Sequence, residues 1–186
     1  MRMVKPLAFL VLTGGLLATL ALPAEAQDPD PLPPVKTIDY VDLERYLGLW
    51  YEIAKIPNKF QNQCTSGATA QYTLRQDGAI DVVNSCRMAG GKRSEAQGKA
   101  EIVDTSTNAK LRVSFVSFLG WRPFWGDYWI IGLDPLYRWA VVGHPERKYG
   151  WILARNRIME DSVYQEIMEI VERNGYEREV FVRNRR

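Results

Sequence analysis

The segment 65–87 reads TSGATAQYTLRQDGAIDVVNSCR and has the pattern of a β-hairpin. Each half carries the β-branched and aromatic residues that favour strands. Between the halves lies Asp77-Gly78, a dipeptide typical of a two-residue hairpin turn. The segment therefore predicts two antiparallel strands, at 65–75 and 79–87.

The same strand-and-turn pattern continues on both sides of this hairpin. No part of 49–156 keeps a helical period for three turns. A helix is predicted afterwards at 161–174, because apolar residues recur there at helical spacing and Gly175 follows as a C-terminal cap, and a short strand is predicted at 176–182. The eight earlier strands are predicted at 49–56, 65–75, 79–87, 94–104, 110–117, 125–133, 137–143 and 150–156. This order predicts an all-β protein, an antiparallel up-and-down barrel with the helix packed outside, and eight strands leave room for one small ligand.

Three short motifs carry a resemblance to a known family. GLWYE at 48–52 resembles the lipocalin signature with Gly48 and Trp50. DPLY at 134–137 resembles the second motif, with Asp134 and Tyr137, and WILAR at 151–155 resembles the third, with Arg155. The resemblance covers about 39–183 and is to the bacterial lipocalins related to apolipoprotein D. It implies a lipocalin barrel that binds a small hydrophobic ligand.

Loop alternation predicts which residues meet at one end of the barrel. The turns near 77, 107 and 135 should lie at the end where the first strand begins and the eighth ends. Trp50, Tyr137 and Arg155 should therefore meet there and form a plug, with the guanidinium packed across the indole. The alternative role for Arg155 is binding of a ligand carboxylate.

The four longer loops, at 57–65, 87–95, 118–127 and 144–149, should surround the opposite end, the mouth. Their charged residues sum to +4 and include Lys59 and Arg122. A cationic mouth above an apolar cavity suits an amphiphile with an anionic head, such as a fatty acid or lysophospholipid. The alternative is that these are ordinary solvated loop charges.

Strand alternation proposes the residues that line the cavity. With Trp50 and Arg155 directed inward, other residues on the same strands should face inward too, and aromatic residues on three further strands are candidates. Each aromatic has an alternative role in core packing. An inward Glu52 needs a partner, and a polar floor shared with Arg155 is one arrangement. The predicted lining residues are Glu52, Ala54, Ile56, Phe115, Trp125, Tyr128, Trp139 and Trp151.

Few residues in the sequence are suited to catalysis. His144 is the only histidine, no nucleophile-elbow motif is present, and no ligand cluster for a metal or loop for a cofactor phosphate occurs. The sequence has two cysteines, Cys64 and Cys86. An even number favours a disulfide, with two free thiols as the alternative. We therefore expect a binding protein without cofactor or metal. The alternative is a lipocalin-fold isomerase or hydrolase acting on a lipid, with Glu52 as a lone general acid.

The N-terminal segment has the order of an export signal. Basic residues, an apolar run at 7–22 and Ala24-Glu25-Ala26 predict a signal peptide at 1–26, cleaved before Gln27. A transmembrane anchor is the alternative, but the run is shorter than the ~20 residues of a membrane span. Residues 27–38 hold four prolines and predict a tether before a domain at 39–186.

The composition of the exported chain limits the classes of partner that we expect. No cysteine adjoins the expected cleavage site, so we expect a soluble periplasmic or secreted protein without a lipid anchor. Without residues 1–26 the net charge is +1, which argues against nucleic acid as a partner. Transient contact with a membrane surface is compatible with this composition, and the oligomeric state is left open.

Overall fold

The structure is a computed structural model that describes residues 32–184. The predicted signal peptide at 1–26 and the first part of the predicted tether lie outside these residues. Within them, no helix has the length and apolar character needed to cross a bilayer. The strands are β1 Gly48–Lys55, β2 Ser66–Leu74, β3 Ile80–Arg87, β4 Arg93–Ile102, β5 Lys110–Ser114, β6 Gly126–Leu133, β7 Trp139–Gly143, β8 Trp151–Ala154 and β9 Val182–Arg183, and the α-helices are α1 Leu43–Tyr46 and α2 Asp161–Arg173.

Strands β1 to β8 form a closed antiparallel barrel, as the sequence predicts. Each strand pairs with the next, and β1 pairs with both β8 and β2, which closes the sheet. β1 contacts β2 only through residues 48–51, and its last residues, Ala54 and Lys55, pair with β9 on the outside. The predicted strand at 176–182 is wrong in extent, because 178–180 form a 3₁₀ turn and only Val182–Arg183 are extended.

The hairpin between β2 and β3 differs from the prediction by one residue. Arg75 N–H donates to the carbonyl of Ala79, so three residues rather than two form the turn. Gly78 has a φ of 80°, the left-handed conformation that a three-residue hairpin needs at its last position. The carboxylate of Asp77 accepts the N–H of Ala79 and fixes the turn from within.

Helix α2 packs on the outer face of the barrel. Its buried face consists of Tyr164, Ile167, Met168 and Val171, and these side chains contact a cluster that includes the outward residues of β7 and β8. The helix ends at Arg173, and the predicted cap Gly175 follows with a φ of 74° and an N–H that donates to the carbonyl of Glu172. This outer core holds the helix against one side of the barrel and leaves the interior to a second, separate cluster.

The packed chain begins before residue 39, where the sequence analysis places the domain boundary. Val35 is buried in the cluster beneath α2, and Lys36 N–H donates to the side-chain oxygen of Asn174 at 2.9 Å. Ile38 N–H then donates to the carbonyl of Ile130. The described part of the predicted tether is therefore attached to the domain rather than extended away from it.

A disulfide joins Cys64 to Cys86, as the sequence predicts. The preceding residues fold back through the 3₁₀ turn Lys59–Gln61, and Cys64 N–H donates to the carbonyl of Gln61 at 3.0 Å. The bond ties the loop after β1 to the end of β3 at the barrel mouth. Such a bond is typical of proteins that fold in an oxidising compartment.

Candidate functional site

The barrel encloses a cavity of about 700 Å³. Inward residues of β1 to β6 and β8 form its wall, and the loops after β1, β5 and β7 form its rim. The cavity therefore opens at the end of the barrel that carries these loops. Its size lies within the range of cavities that bind small organic ligands, about 300–1,000 Å³.

Three tyrosines from three different elements contribute to the closed end of the cavity. The hydroxyl of Tyr128 contacts those of Tyr46 and Tyr72, at 2.8 and 2.9 Å. Burial raises the pKa of Tyr72 to about 12 and raises the pKa of Tyr46 and of Tyr128 well above the usual range. All three groups are therefore neutral at physiological pH, so the floor is uncharged and its hydroxyls bind one another.

The predicted plug of Trp50 and Arg155 lies beneath this floor. Trp50 is fully buried, and its indole N–H donates to the carbonyl of Tyr46 at 2.8 Å. The Arg155 guanidinium carbon lies 3.8 Å from the centre of the indole ring. Its nitrogens also donate to the carbonyls of Arg45, Leu47 and Leu49 at 2.7–2.8 Å. Arg155 thus satisfies carbonyl groups at the end of α1 and the start of β1.

The remaining motif residues surround the same end of the barrel. Gly48 has a φ of 91°, and a Cβ there would lie 3.5 Å from Arg155 Nη1, so the chain turns closely beneath the guanidinium. The hydroxyl of Tyr137 accepts the N–H of Asp42, the N-cap of α1. Asp134 is buried, and hydrogen bonds from Arg138 hold its pKa below the usual range. Their geometry supports a structural role.

Glu52 is buried in the cavity wall, but its partners differ from the expected Arg155. Its carboxylate accepts the side-chain N–H of Gln61 at 2.7 Å and that of Asn184 at 3.0 Å, and it pairs with Lys55 at 3.1 Å. The side-chain oxygen of Gln61 in turn accepts the indole N–H of Trp151 at 3.2 Å. Glu52 therefore lies in a saturated polar network near the point where β1 leaves β2. The arrangement in which Glu52 shares a polar floor with Arg155 does not form.

The structure places Glu52, Phe115, Trp125, Tyr128 and Trp151 on the cavity wall. Their contact with a ligand stays a prediction. Sequence reasoning missed other wall residues, because loop positions have no period from which orientation can be inferred. In the rim loops these are Phe60, Gln61, Phe124 and Tyr149. The floor residues Tyr46 on α1 and Tyr72 on β2 were not predicted either.

Three other predicted wall residues lie outside the cavity. A register shift between Glu52 and Ala54 turns the end of β1, so that Ala54 and Ile56 join the cluster beneath α2. Trp139 lies opposite the outward Ala154 in the β7–β8 pair and packs in the same cluster. The prediction that Ala54, Ile56 and Trp139 face the cavity is therefore wrong.

The two predicted head-group cations, Lys59 and Arg122, are also absent from the cavity wall. Lys59 is exposed on the 3₁₀ turn beside the ring of Phe60, and Arg122 Nη1 donates to the carbonyl of Ser114 at 2.9 Å. Both residues lie in mouth loops, as expected, but neither is part of the described cavity wall.

The charged residues that do line the mouth are of both signs. Lys148 pairs with Glu146, and His144 Nε2 lies 4.0 Å from a carboxylate oxygen of Asp127. All four residues border the cavity. The excess of positive charge in the mouth loops therefore lies around the rim, while the opening itself carries the Lys148–Glu146 ion pair and the carboxylate of Asp127.

Comparison with known proteins agrees with this geometry. The profile of the Lipocalin-like domain family matches residues 41–185, so the chain belongs to the lipocalin family. Temperature-induced lipocalin-1 of Arabidopsis thaliana is 40% identical over 146 residues, which cover 77% of this chain and 78% of that protein. Outer membrane lipoprotein Blc of Escherichia coli is 38% identical over 155 residues, covering 82% and 84%. Mouse apolipoprotein D is 30% identical over 180 residues, covering 93% and 90%.

Solved structures show the same fold. Insecticyanin from the tobacco hornworm Manduca sexta aligns with a TM-score of 0.67 at 22% identity, covering 86% of this chain and 88% of that one. Lipocalins bind small hydrophobic ligands and are generally carriers rather than enzymes. The cavity described above is where such a ligand fits.

Proposed function

We propose that this lipocalin carries a single-chain amphiphile, a lysophospholipid or a fatty acid, with the tail inside the barrel and the head at the mouth. The observation that supports this best is the shape of the cavity. It is about 700 Å³ in volume, mainly apolar along its wall, closed by a neutral tyrosine floor and open at the opposite end. One long apolar chain enters such a cavity with its polar group left at the mouth.

The charges at the opening favour a zwitterionic head over a simple carboxylate. Lys148 offers a cation for a phosphate, while Glu146 and Asp127 offer carboxylates for an amine. A fatty acid head would meet Lys148 but also the two carboxylates. A lysophospholipid therefore fits the paired charges better, and the fatty acid remains the second ligand class within this proposal.

Affinity should rise with the length of the acyl chain. Each buried methylene contributes about 0.8 kcal/mol, so each should tighten binding about fourfold until the cavity is full. Titration of a homologous series of lysophospholipids, followed by intrinsic tryptophan fluorescence, measures this dependence. Trp125→Ala should weaken every chain length by about tenfold, since it removes apolar wall. Trp121→Ala is the matched control in the same loop, because Trp121 lies outside the wall and should leave the affinity unchanged. An affinity independent of chain length contradicts the proposal.

The same titration separates the head groups. Exposed ion pairs contribute about 0–1 kcal/mol, so Glu146→Gln should weaken a lysophospholipid with an amine head by up to about fivefold. It should leave a fatty alcohol of equal length unaffected. Lys59→Gln serves as the control, because Lys59 lies outside the cavity wall. Equal effects of Glu146→Gln on the lysophospholipid and the alcohol would remove the head-group part of the proposal.

Turnover is the alternative fate of a bound lipid. Both cysteines form the disulfide, so neither provides a thiolate nucleophile. Recovery of the lysophospholipid intact after prolonged incubation supports carriage, whereas release of free fatty acid would support a hydrolase. This measurement does not depend on the affinity and so tests the two fates directly.

We infer that the protein acts after export, in the periplasm or outside the cell. The inference is supported by the signal-like sequence at 1–26 and by the disulfide between Cys64 and Cys86. N-terminal sequencing of the protein from its native compartment should begin at Gln27. A chain that still begins at Met1 would contradict export by cleavage.

A further inference from the structure

The loop between β5 and β6 exposes an unusual amount of apolar surface. Leu119 is 92% exposed, and Phe118, Trp121 and Phe124 are each 67–69% exposed. These four side chains lie within seven residues of sequence. Contiguous apolar groups of this size on a soluble domain mark a surface that meets a partner or a membrane.

The tip of this loop is a small hairpin of defined shape. Phe118 and Trp121 exchange two backbone hydrogen bonds of 2.9 Å, and the turn residues Leu119 and Gly120 have φ values of 49° and 81°. Asparagine and glycine favour such a turn, whereas leucine disfavours a positive φ. Neither packing nor turn geometry therefore accounts for an apolar residue at 119.

The hairpin lies at the edge of the cavity opening. In the same loop, Phe115, Val116 and Phe124 line the cavity wall, so the apolar surface is continuous from the tip to the interior. Across the mouth, Phe60 is 59% exposed and also lines the cavity. A lipid that leaves the cavity along this surface stays in contact with apolar side chains.

Basic residues accompany the apolar tip at this end of the barrel. Lys59, Arg87 and Lys92 are exposed in the neighbouring mouth loops. At the same end of the barrel, the carboxylates of Glu95 and Glu146 pair with Arg93 and Lys148, and that of Asp127 lies 4.0 Å from His144 Nε2. Aromatic and aliphatic side chains surrounded by cations are the composition that binds the interface of an anionic bilayer.

We propose that the mouth of the barrel docks on an anionic membrane, with the tip residues Phe118, Leu119 and Trp121 inserted among the lipids. The cations then face the lipid phosphates, and the cavity opens toward the bilayer. Docking rests on the exposed apolar tip and the cations of the neighbouring loops, whereas lipid transfer through the docked mouth also rests on the proposed function.

Vesicle co-sedimentation tests the docking directly. The purified protein is mixed with vesicles of phosphatidylethanolamine and phosphatidylglycerol, and with vesicles of phosphatidylcholine alone. It should partition onto the anionic vesicles more strongly, and added salt should weaken that preference. Replacing Phe118, Leu119 and Trp121 together by serine should reduce partitioning about 100-fold, since three apolar groups no longer insert.

Two further variants distinguish a loss of membrane docking from a loss of folding or of ligand binding. Leu119→Asn should reduce partitioning about tenfold while leaving the protein at least as stable, because asparagine suits the turn. Val103→Ser with Leu136→Ser removes exposed apolar groups from the opposite end of the barrel and should leave partitioning unchanged. Lysophospholipid affinity in vesicle-free solution should stay the same in all of these variants, because none of the substituted residues lines the cavity.

Two outcomes would overturn the docking proposal. One is partitioning of the triple-serine variant that equals that of the unmodified protein. The other is a concentration-dependent dimer in solution that the triple variant abolishes without any vesicle binding by the unmodified chain, which would identify the partner as a second copy. If the unmodified protein binds lysophospholipid but no vesicles, the docking proposal fails while the ligand proposal stands.

Discussion

Trp50→Ala is expected to lower the free energy of unfolding by about 3–5 kcal/mol, the usual effect of removing a fully buried tryptophan. The indole lies between the guanidinium of Arg155 and the ring of Tyr46, at 3.8 and 5.1 Å. Its removal leaves a void in the plug and also removes the N–H that binds the carbonyl of Tyr46. Urea denaturation followed by far-ultraviolet circular dichroism measures the change without relying on tryptophan fluorescence.

Two companion variants show which part of the indole matters. Trp50→Phe keeps an aromatic ring but loses the N–H, so its loss of stability should be intermediate. Trp121→Ala removes an exposed indole and should change the free energy of unfolding by less than about 0.5 kcal/mol. Similar losses for Trp50→Ala and Trp121→Ala would contradict the plug as the source of stability.

Arg155→Ala is expected to destabilise the protein by about 2–4 kcal/mol, because carbonyl groups at the end of α1 and the start of β1 lose their donor and the indole of Trp50 loses its packing partner. The guanidinium donates to the carbonyls of Arg45, Leu47 and Leu49, and these groups point toward it from two different elements. Lysine at 155 keeps the charge but lacks the planar fork of donors, so Arg155→Lys should recover only part of the loss. The melting temperature of each variant provides the comparison.

The same variant tests whether Arg155 is structural or binds ligand. If it is structural, Arg155→Ala should lower the melting temperature while the folded variant keeps its affinity for lysophospholipid. Arg157→Ala is the matched control, since Arg157 is exposed and stacks on Tyr51 at the surface. An unchanged melting temperature together with lost binding would assign Arg155 to the ligand instead.

The barrel itself follows from local sequence pattern. Alternation and turn residues locate all eight strands, and the alternation of loops between the two ends places Trp50 and Arg155 at the same end of the barrel, where they are in contact. The period of a strand is two residues, so the pattern also predicts which face a side chain occupies. That inference holds for Trp151 on β8, which lines the cavity.

The errors arise where the backbone departs from this period. One extra residue in β1 reverses the facing of Ala54, and no residue in GLWYEIAK marks the bulge. β7 is buried on both faces because α2 covers its outside, so WAVVG shows no alternation from which to orient Trp139. The positions of Lys59 and Arg122 depend on loop conformation, which has no period at all.

The tyrosine floor escaped prediction for a different reason. Tyr46, Tyr72 and Tyr128 lie on α1, β2 and β6, and only the closed sheet brings their hydroxyls together. Tyr46 is held by the four-residue helix α1, which is too short for a periodic signal. A site assembled across such distances in sequence depends on register, and a single sequence does not specify register well enough.

The rim of the barrel is anchored unequally on its two sides. The loop after β1 is covalently fastened through Cys64, whereas the loop after β5 is held at its base by hydrogen bonds, from Arg122 to the carbonyl of Ser114 and from Ser114 Oγ to the carbonyl of Val116. Opening the first side requires breaking a covalent bond, and opening the second requires only a side-chain rearrangement. We therefore expect a bound ligand to leave past the loop after β5, and we expect reduction of the disulfide to speed release by freeing the loop after β1 as a second way out.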